Sequence, residues 1–146
     1  MIDERKAFDQ VVRDFSAQAG LELEQDDEGV WTIPIGGNVF AHILYHTGMR
    51  QVLVYATVAE LPPSESAEVR ARMLLTANYY WQDTQGFTLA MDHETRHLVV
   101  QDRRAFSAFE TPERLANLLV NMGETVRDLT LTLGHLSDAV EIEGEG

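Results

Sequence analysis

The sequence predicts an α+β domain: an antiparallel sheet with three helices, in the order α-β-β-β-(β)-α-β-β-α. Helical and strand periodicities come in separate runs. Strands that follow one another across short turns pair as antiparallel neighbours, which leaves the helices to cover the sheet. A chain of 146 residues buries enough surface to fold as one domain. We expect this domain to span residues 1–140 and the acidic tail, residues 141–146, to be frayed.

The first helix is predicted over residues 3–19. Asp3 is a suitable N-terminal cap, and Gly20 directly follows the last apolar position. Apolar residues recur at helical spacing and form one stripe for the core: Phe8, Val11, Val12, Phe15 and Ala19.

The stretch from residue 21 to residue 61 predicts a run of strands. A short alternating segment, LELEQ, leads into an acidic turn, and VWTIPI then alternates with its apolar residues on one face. Pro34 cannot donate to a ladder, which places this strand near an edge of the sheet. Gly36 and Gly37 indicate a hairpin turn into VFAHILYH. The next strand, QVLVYATVAEL, is apolar on both faces, so we expect it at the centre.

The second half of the chain predicts a helix, two strands and a last helix. Ser64 caps a helix that ends before Gly86, and FTLAMD and HLVVQDRR then alternate as strands. Thr111, Pro112 and Glu113 combine a cap, a proline at the first helical position and an acid. The apolar stripe of the last helix is long and continuous: Leu115, Leu118, Leu119, Met122, Val126, Leu129, Leu133 and Leu136.

Composition excludes several classes of function. The chain has 24 acidic against 11 basic residues, a net charge of −13, which repels nucleic acid and anionic membrane surfaces. It has no cysteine, which excludes disulfides, thiolate zinc sites and cysteine nucleophiles. The start, MIDERKAFDQ, lacks the apolar core of a signal peptide, and no apolar run is long enough to span a membrane. We therefore expect a cytoplasmic protein.

The segment HETRH, residues 93–97, matches the H-E-x-x-H pattern of zinc metalloproteases, with His93 and His97 as ligands and Glu94 as the base. That pattern needs a helix, which brings both histidines to one metal. The flanking segments alternate at period two instead and predict a hairpin with HETRH at its tip. No pattern marks a third ligand. A solvated turn is the favoured interpretation, and a zinc hydrolase is kept as an alternative.

The remaining polar residues indicate no catalytic site. His42 and His46 lie on one strand, roughly 13 Å apart at about 3.3 Å per residue, which is too far to share a metal. No phosphate-binding glycine loop and no nucleophile elbow occurs. We therefore expect a binding protein rather than an enzyme, without a cofactor or a metal.

Two apolar features indicate a protein partner. Tyr79, Tyr80 and Trp81 are consecutive at the end of the second predicted helix, so at least one of them must leave the side that faces the core. Such a residue is either simply half-exposed or part of an interface, where Tyr and Trp are enriched. The strand with Trp31 and Ile33 offers a second apolar edge, to which an extended peptide could add.

The segment LLTANYYWQDTQGFTLAMDHETRHLVVQDRR resembles the core signature of class I type III secretion chaperones, the Tir-chaperone family. In that signature a leucine-rich helix end with an asparagine and an aromatic residue precedes a glycine-containing turn, a strand ending in aspartate, a second turn and a strand ending in basic residues. The order of elements, the size and the acidic charge extend the resemblance to about residue 140. The matching positions are Leu74, Leu75, Ala77, Asn78, Trp81, Gly86, Leu89, Asp92, Leu98, Val99 and Val100.

The resemblance implies a bacterial homodimer that binds the N-terminal region of a secreted effector in extended form, without ATP, and keeps it soluble and ready for export. The residues expected near the dimer interface are Tyr80, Trp81, Phe87 and Leu89. The residues expected to contact the effector are Phe15, Leu21, Leu23, Trp31, Ile33 and Ile35. A regulatory or sensory protein of the same fold, with no secretion client, stays an alternative.

Overall fold

The computed structural model describes residues 3–60, 72, 75–76, 78, 85–92 and 94–145, with side chains up to residue 131. The helices among these residues are α1 (Glu4–Ala19) and α2 (Pro112–Glu145), and a short 3-10 helix spans Phe106–Phe109. The strands are β1 (Glu24–Gln25), β2 (Trp31–Gly36), β3 (Val39–His46), β4 (Gln51–Glu60), β5 (Thr88–Met91) and β6 (His97–Arg104).

The six strands form one antiparallel sheet in the order β1-β2-β3-β4-β6-β5. This confirms the predicted α+β class and the antiparallel sheet. Strand β4 lies between β3 and β6, at the centre, as its two apolar faces predicted. Strand β2, with Pro34, is next to the edge and is flanked there only by the two residues of β1.

Helix α1 has the ends that the sequence predicted. The Asp3 carboxylate accepts a hydrogen bond from the backbone N–H of Lys6 (3.2 Å), which satisfies one of the free donors of the first turn. At the other end Gly20 has φ 68°, in the left-handed region. Its N–H and that of Leu21 bond to carbonyl groups of the last turn and close the helix.

Both helices pack on one face of the sheet, called the inner face below, and the core lies between them and the strands. The predicted stripe of α2 is buried from Leu115 to Leu129, whereas Leu133 and Leu136 lie outside the described side chains. The strands contribute alternate residues to this core: Trp31, Ile33, Ala41, Ile43, Val52, Val54, Ala56, Leu89, Leu98 and Val100.

Helix α2 approaches β2 very closely. A Cβ atom on Gly123 would lie 2.8 Å from the backbone carbonyl oxygen of Ile35, well inside van der Waals contact. Glycine permits this approach because it has no side chain. The register of β2 with β3 shifts between Pro34 and Gly36, which makes Ile35 the extra residue of a β-bulge. The end of β2 is therefore shaped by the bulge and held by the helix.

The opposite face, called the outer face below, is formed by the other alternate residues of the strands. It carries large apolar side chains that remain accessible, among them Phe40 (48% exposed) and Tyr55 (36% exposed). Leu44 and Leu53 are half-buried beside them. Among the described residues, no helix covers this face.

The second predicted helix falls almost entirely outside the described residues. Arg72, Leu75 and Thr76 are described, and their backbone is helical. The described part of the chain contains two helices, so the third stays a prediction. Helix α2 extends to Glu145, through the segment predicted to be a frayed tail, and the domain boundary at residue 140 stays a prediction. No helix in the described ranges is long and apolar enough to cross a membrane.

Candidate functional site

Helix α1 and the first two strands meet at a polar corner centred on Asp9. The Asp9 carboxylate accepts hydrogen bonds from the indole N–H of Trp31 (3.0 Å) and from the side-chain amide of Gln25 (3.2 Å). The Arg13 guanidinium lies 5.7 Å from the centre of the Trp31 ring, within cation–π range. The Gln25 amide also donates to the carbonyl of Gly29 (3.1 Å). These contacts fix β1 and β2 against the helix.

Two residues expected to contact an effector are part of the core. Trp31 is 5% exposed and Ile33 is 0% exposed, because both side chains point to the inner face under the helices. The apolar edge expected at β2 therefore does not include these side chains. Their direct contact with an effector stays a prediction, and it would require these side chains to become accessible.

The other four expected contact residues are half-buried. Phe15, Leu23 and Ile35 pack against the core and keep part of their surface in solvent. Leu21 is half-buried at the end of α1, where the Ser16 hydroxyl donates a hydrogen bond to its carbonyl. We call these four residues, Phe15, Leu21, Leu23 and Ile35, the apolar rim. They border the corner that Asp9 holds together.

The rim lies beside a strand whose ladder is incomplete. Strand β1 pairs with β2 only at Trp31 and Thr32. From Ile33 to Gly36, β2 pairs with β3 on one side and with no described strand on the other. An unpaired strand edge presents backbone groups that an extended segment can use, although Pro34 contributes only its carbonyl group here. This corner therefore combines accessible apolar side chains with free strand backbone.

The HETRH segment forms a hairpin turn, as its flanks predicted. The backbone N–H of Asp92 donates to the carbonyl of His97 (2.8 Å), and the N–H of Arg96 donates to the carbonyl of Asp92 (2.8 Å). The Asp92 carboxylate also accepts from the N–H of Glu94 (2.9 Å). His93 lies outside the described residues. Within the described part of the chain, no three His, Asp or Glu side chains are grouped to hold a metal.

A histidine and a tyrosine stack on the outer face next to β2. The rings of His42 and Tyr55 are 5.0 Å apart, and the Thr32 hydroxyl lies 3.2 Å from Nδ1 of His42. Burial lowers the pKa of His42 below its ordinary value of 6.5, and the charge of Asp26 opposes this shift in part. Burial raises the pKa of Tyr55, and the charges of Asp26 and Glu28 raise it further. The acidic turn before β2 is therefore close to this aromatic pair.

The residues expected at a dimer interface divide into two groups. Tyr80 and Trp81 lie outside the described residues. Phe87 is 1% exposed and Leu89 is 6% exposed, because both side chains enter the core on the inner side of the sheet. Their place near a dimer interface stays a prediction, and only the backbone of β5 or its outer side could meet a partner.

The sequence of the chain matches a known protein family over most of its length. The profile of the Tir chaperone protein (CesT) family matches residues 10–130 of the chain. The chain belongs to this family. The match includes most of α1, the whole sheet and the buried part of α2, so the apolar rim lies within it. No curated protein matches the chain in sequence.

Several solved structures of chaperone complexes share the fold of this family member. A chain of the ExsC–ExsE complex aligns with a TM-score of 0.72 and 18% identity, over 88% of this chain and 95% of that one. A chain of the HopA1–SchA chaperone–effector complex aligns with a TM-score of 0.71 and 14% identity, over 89% and 98%. A chain of the complex between the Yersinia pestis type III secretion chaperone SycH and a stable fragment of YscM2 has a TM-score of 0.61 and 14% identity, over 82% and 96%. Identities this low show a common fold.

Two residues that shape the site carry no signal in the sequence. Asp9 occupies a polar position of an amphipathic helix and resembles any solvated acid there. Gly123 interrupts the long apolar helix without a turn or a cap to explain it. Only the helix–strand contact identifies their roles.

Proposed function

We propose that the protein is a type III secretion chaperone, which binds the N-terminal region of a secreted effector in extended form and keeps it soluble and ready for export. The observation that carries the proposal is the apolar rim beside the unpaired half of β2, on a chain of the Tir chaperone family. The effector segment is called the client below.

The rim suits an extended client because its half-buried apolar side chains lie beside a stretch of β2 that no described strand pairs with on that side. A client strand on the β2 edge would place every second side chain toward the rim. The apolar surface removed from water contributes about 25 cal/mol per Å². This gain must offset the cost of ordering the client, so we expect an extended contact rather than a few isolated side chains. Binding of this kind needs no ATP, because the chaperone acts by mass action on the unfolded segment.

The net charge of −13 supports the proposed role in keeping the bound effector soluble. A strongly charged surface keeps a complex soluble while the client holds an unfolded, apolar segment. The acidic turn near β2, with Asp26 and Glu28, also favours clients whose bound segment is basic. We place the protein in the bacterial cytoplasm, where such clients are made, and assign it no enzymatic activity.

We further propose that the chain is a homodimer and that the segment between β4 and β5 contains the third helix. Tyr80 and Trp81 belong to that segment, and the sequence predicts that at least one of these aromatic side chains leaves the core. Phe87 and Leu89 then support the interface from inside the core, by fixing β5 beneath it.

The test is a capture experiment with a matched pair of variants. The tagged protein is used to isolate partners from its own organism under secretion-inducing conditions, and mass spectrometry identifies them. Leu21→Glu places a charge in the rim, and Val120→Glu places the same charge on an exposed apolar residue of α2 (60% exposed). We expect wild type and Val120→Glu to retain one dominant client through its N-terminal region. We expect Leu21→Glu to bind it at least about tenfold more weakly.

The outcomes separate the function from the site. If both variants capture the client equally well, the rim is not part of the binding surface. Such a result would not contradict the chaperone function itself. A clean protein without any client, from cells that are secreting, would favour the regulatory alternative. Light scattering of the isolated complex checks the dimer, for which two copies of this chain are expected per particle.

A further inference from the structure

Three successive turns of α1 each contribute one polar residue that contacts the hairpin formed by β1, β2 and the turn between them, residues 24–36. These residues are Arg5, Asp9 and Arg13, and their spacing of four places them on one side of the helix. The Arg5 guanidinium lies against Gly29, since a Cβ atom on that glycine would be 3.4 Å from Nη2 of Arg5. Arg13 lies over the ring of Trp31. Asp9, between them, reaches both strands of the hairpin.

A single oxygen atom of Asp9 makes both connections. Its Oδ1 accepts the hydrogen bond from the Trp31 indole on β2 and the one from the Gln25 amide on β1. The Gln25 amide also donates to the Gly29 carbonyl, which connects the turn to the same point of the helix. Loss of the carboxylate would leave the donor of a buried indole without this acceptor, and an unsatisfied buried donor is costly.

The segment of residues 20–25, called the rim segment below, carries two of the four residues of the apolar rim, Leu21 and Leu23. One end of it is fixed to α1, because the N–H of Leu21 donates to the Ser16 carbonyl (3.0 Å). At its other end β1 has two residues and pairs with β2 at two positions. So short a ladder contributes little stability by itself. The bond from Gln25 to Asp9 therefore holds this end of the rim segment in place.

We propose that Asp9 is a positioning residue for client binding: without touching the client, it holds the rim segment beside β2 in the arrangement that the client meets. The inference rests on the proposed function and deepens it. Binding to a surface that is already ordered avoids the free-energy cost of ordering it during association. A variant without the Asp9 carboxylate keeps every apolar side chain of the rim, yet it must order the rim segment each time a client binds.

Hydrogen exchange of the protein alone measures whether Asp9 holds the hairpin. In Asp9→Ala we expect the amides of Glu24 and Thr32, which pair across the β1–β2 ladder, to exchange about tenfold faster, as loss of one ordinary hydrogen bond predicts. The amides at the centre of the sheet should keep their wild-type rates. Asp14→Ala is the matched control, because Asp14 is an exposed acid of the same helix whose carboxylate accepts from the Gln10 amide (2.9 Å).

Capture of the client from secreting cells measures whether this order matters for binding. We expect Asp9→Ala to bind the client about tenfold more weakly than the wild type and Asp14→Ala to bind it equally well. Asp9→Asn keeps an oxygen acceptor at the same place and should bind within about twofold of the wild type. Val52→Ala is the stability control, since Val52 is fully buried in β4, two strands away from β2. It should lower the stability of the whole domain and leave capture unchanged.

Three results would overturn the proposal. They are wild-type exchange of the β1–β2 amides in Asp9→Ala, wild-type capture in spite of faster exchange, and an equal loss of capture in Asp9→Ala and Val52→Ala, which would assign the effect to stability alone. If circular dichroism shows that Asp9→Ala does not fold, Gln25→Ala replaces it, because it removes the connection to β1 and keeps the indole bond. A wild type that captures no client would count against the proposed function, whereas the exchange rates still decide whether Asp9 holds the hairpin.

Discussion

The two edges of the sheet differ in how their backbone is satisfied. At the β2 edge the ladder with β1 ends at Thr32, and the following residues keep a free side next to the apolar rim. At the β5 edge the outward backbone of Leu89 is bonded to the side chain of Asn78. Strand β2 is rich in residues that favour strands, whereas β5 has only Thr88 of that kind. Propensity does not show whether the backbone at an edge is already bonded. What surrounds each strand in three dimensions decides how its edge is bonded.

The edges also differ in how firmly they are held from beneath. Strand β2 is fixed to α1 through Trp31 and Asp9 and to α2 through the close contact at Gly123. Strand β5 has only four residues, and β6 is its single partner among the described strands. A firmly held strand can keep a free edge without rearranging. This suits a surface that must stay ready for a partner.

Trp31→Ala should have the largest effect of the changes considered for the β2 edge. Removing a buried tryptophan costs about 3–5 kcal/mol of unfolding free energy, and here Asp9 also loses its indole donor. Urea unfolding followed by circular dichroism measures the loss. Trp31→Phe is the comparison variant. It keeps an aromatic ring but loses the indole hydrogen bond and part of the ring volume, so we expect a smaller loss than for Trp31→Ala. Equal stability of wild type and Trp31→Ala would show that the side chain is not part of the core.

Gly123→Ala tests whether α2 holds the end of β2. The new methyl group would lie 2.8 Å from the Ile35 carbonyl oxygen, and backbone must shift to make room. Overpacking costs about 1–3 kcal/mol, and the better helix propensity of alanine offsets about 1 kcal/mol of that. We expect a net loss of about 1 kcal/mol of unfolding free energy, together with weaker client capture. A gain in stability, as alanine gives at an open helical position, would contradict the close contact.

The smallest effect concerns His42 on the outer face beside β2. Its lowered pKa means that the folded protein binds a proton at this ring less readily than the unfolded chain does. The resulting stability is complete above pH 6.5 and is lost as the pH falls from there through the folded pKa. We expect His42→Gln to reduce the loss of unfolding free energy between pH 8 and pH 5. If the wild type and the variant lose stability in parallel, burial of this ring does not control its protonation.

Most elements could be predicted from the sequence because their signals are local. The cap at Asp3, the left-handed glycine at residue 20 and the helix start at Thr111 depend on neighbouring residues only. The hairpin around HETRH followed from the alternation of its flanks, which distinguished it from the helix of a zinc site. The apolar period likewise predicted the buried residues Phe8, Val11 and Val12 of α1 and the buried stripe of α2 from Leu115 to Leu129, whereas the predicted position Ala19 is exposed at the end of α1.

The accessible part of the site could not be predicted in the same way. Trp31, Ile33 and Ile35 share one face of one strand, and the alternating pattern treats them alike. Helix packing then buries Trp31 and Ile33, whereas the bulge leaves Ile35 half in solvent. The same reason applies to Phe87 and Leu89. In the sequence, an apolar residue at a protein interface cannot be distinguished from an apolar residue of the core, because both recur at the same spacing.

The sequence by itself determined the family, the α+β class, the order of the strands along the chain and the acidic charge, since each depends on local pattern or composition. Only the tertiary structure decided how the backbone at each edge of the sheet is bonded and which apolar residues remain accessible. These properties depend on contacts between residues far apart in the chain, such as Asp9 with Trp31, Asn78 with Leu89 and Gly123 with Ile35. No periodicity within a single segment encodes such contacts.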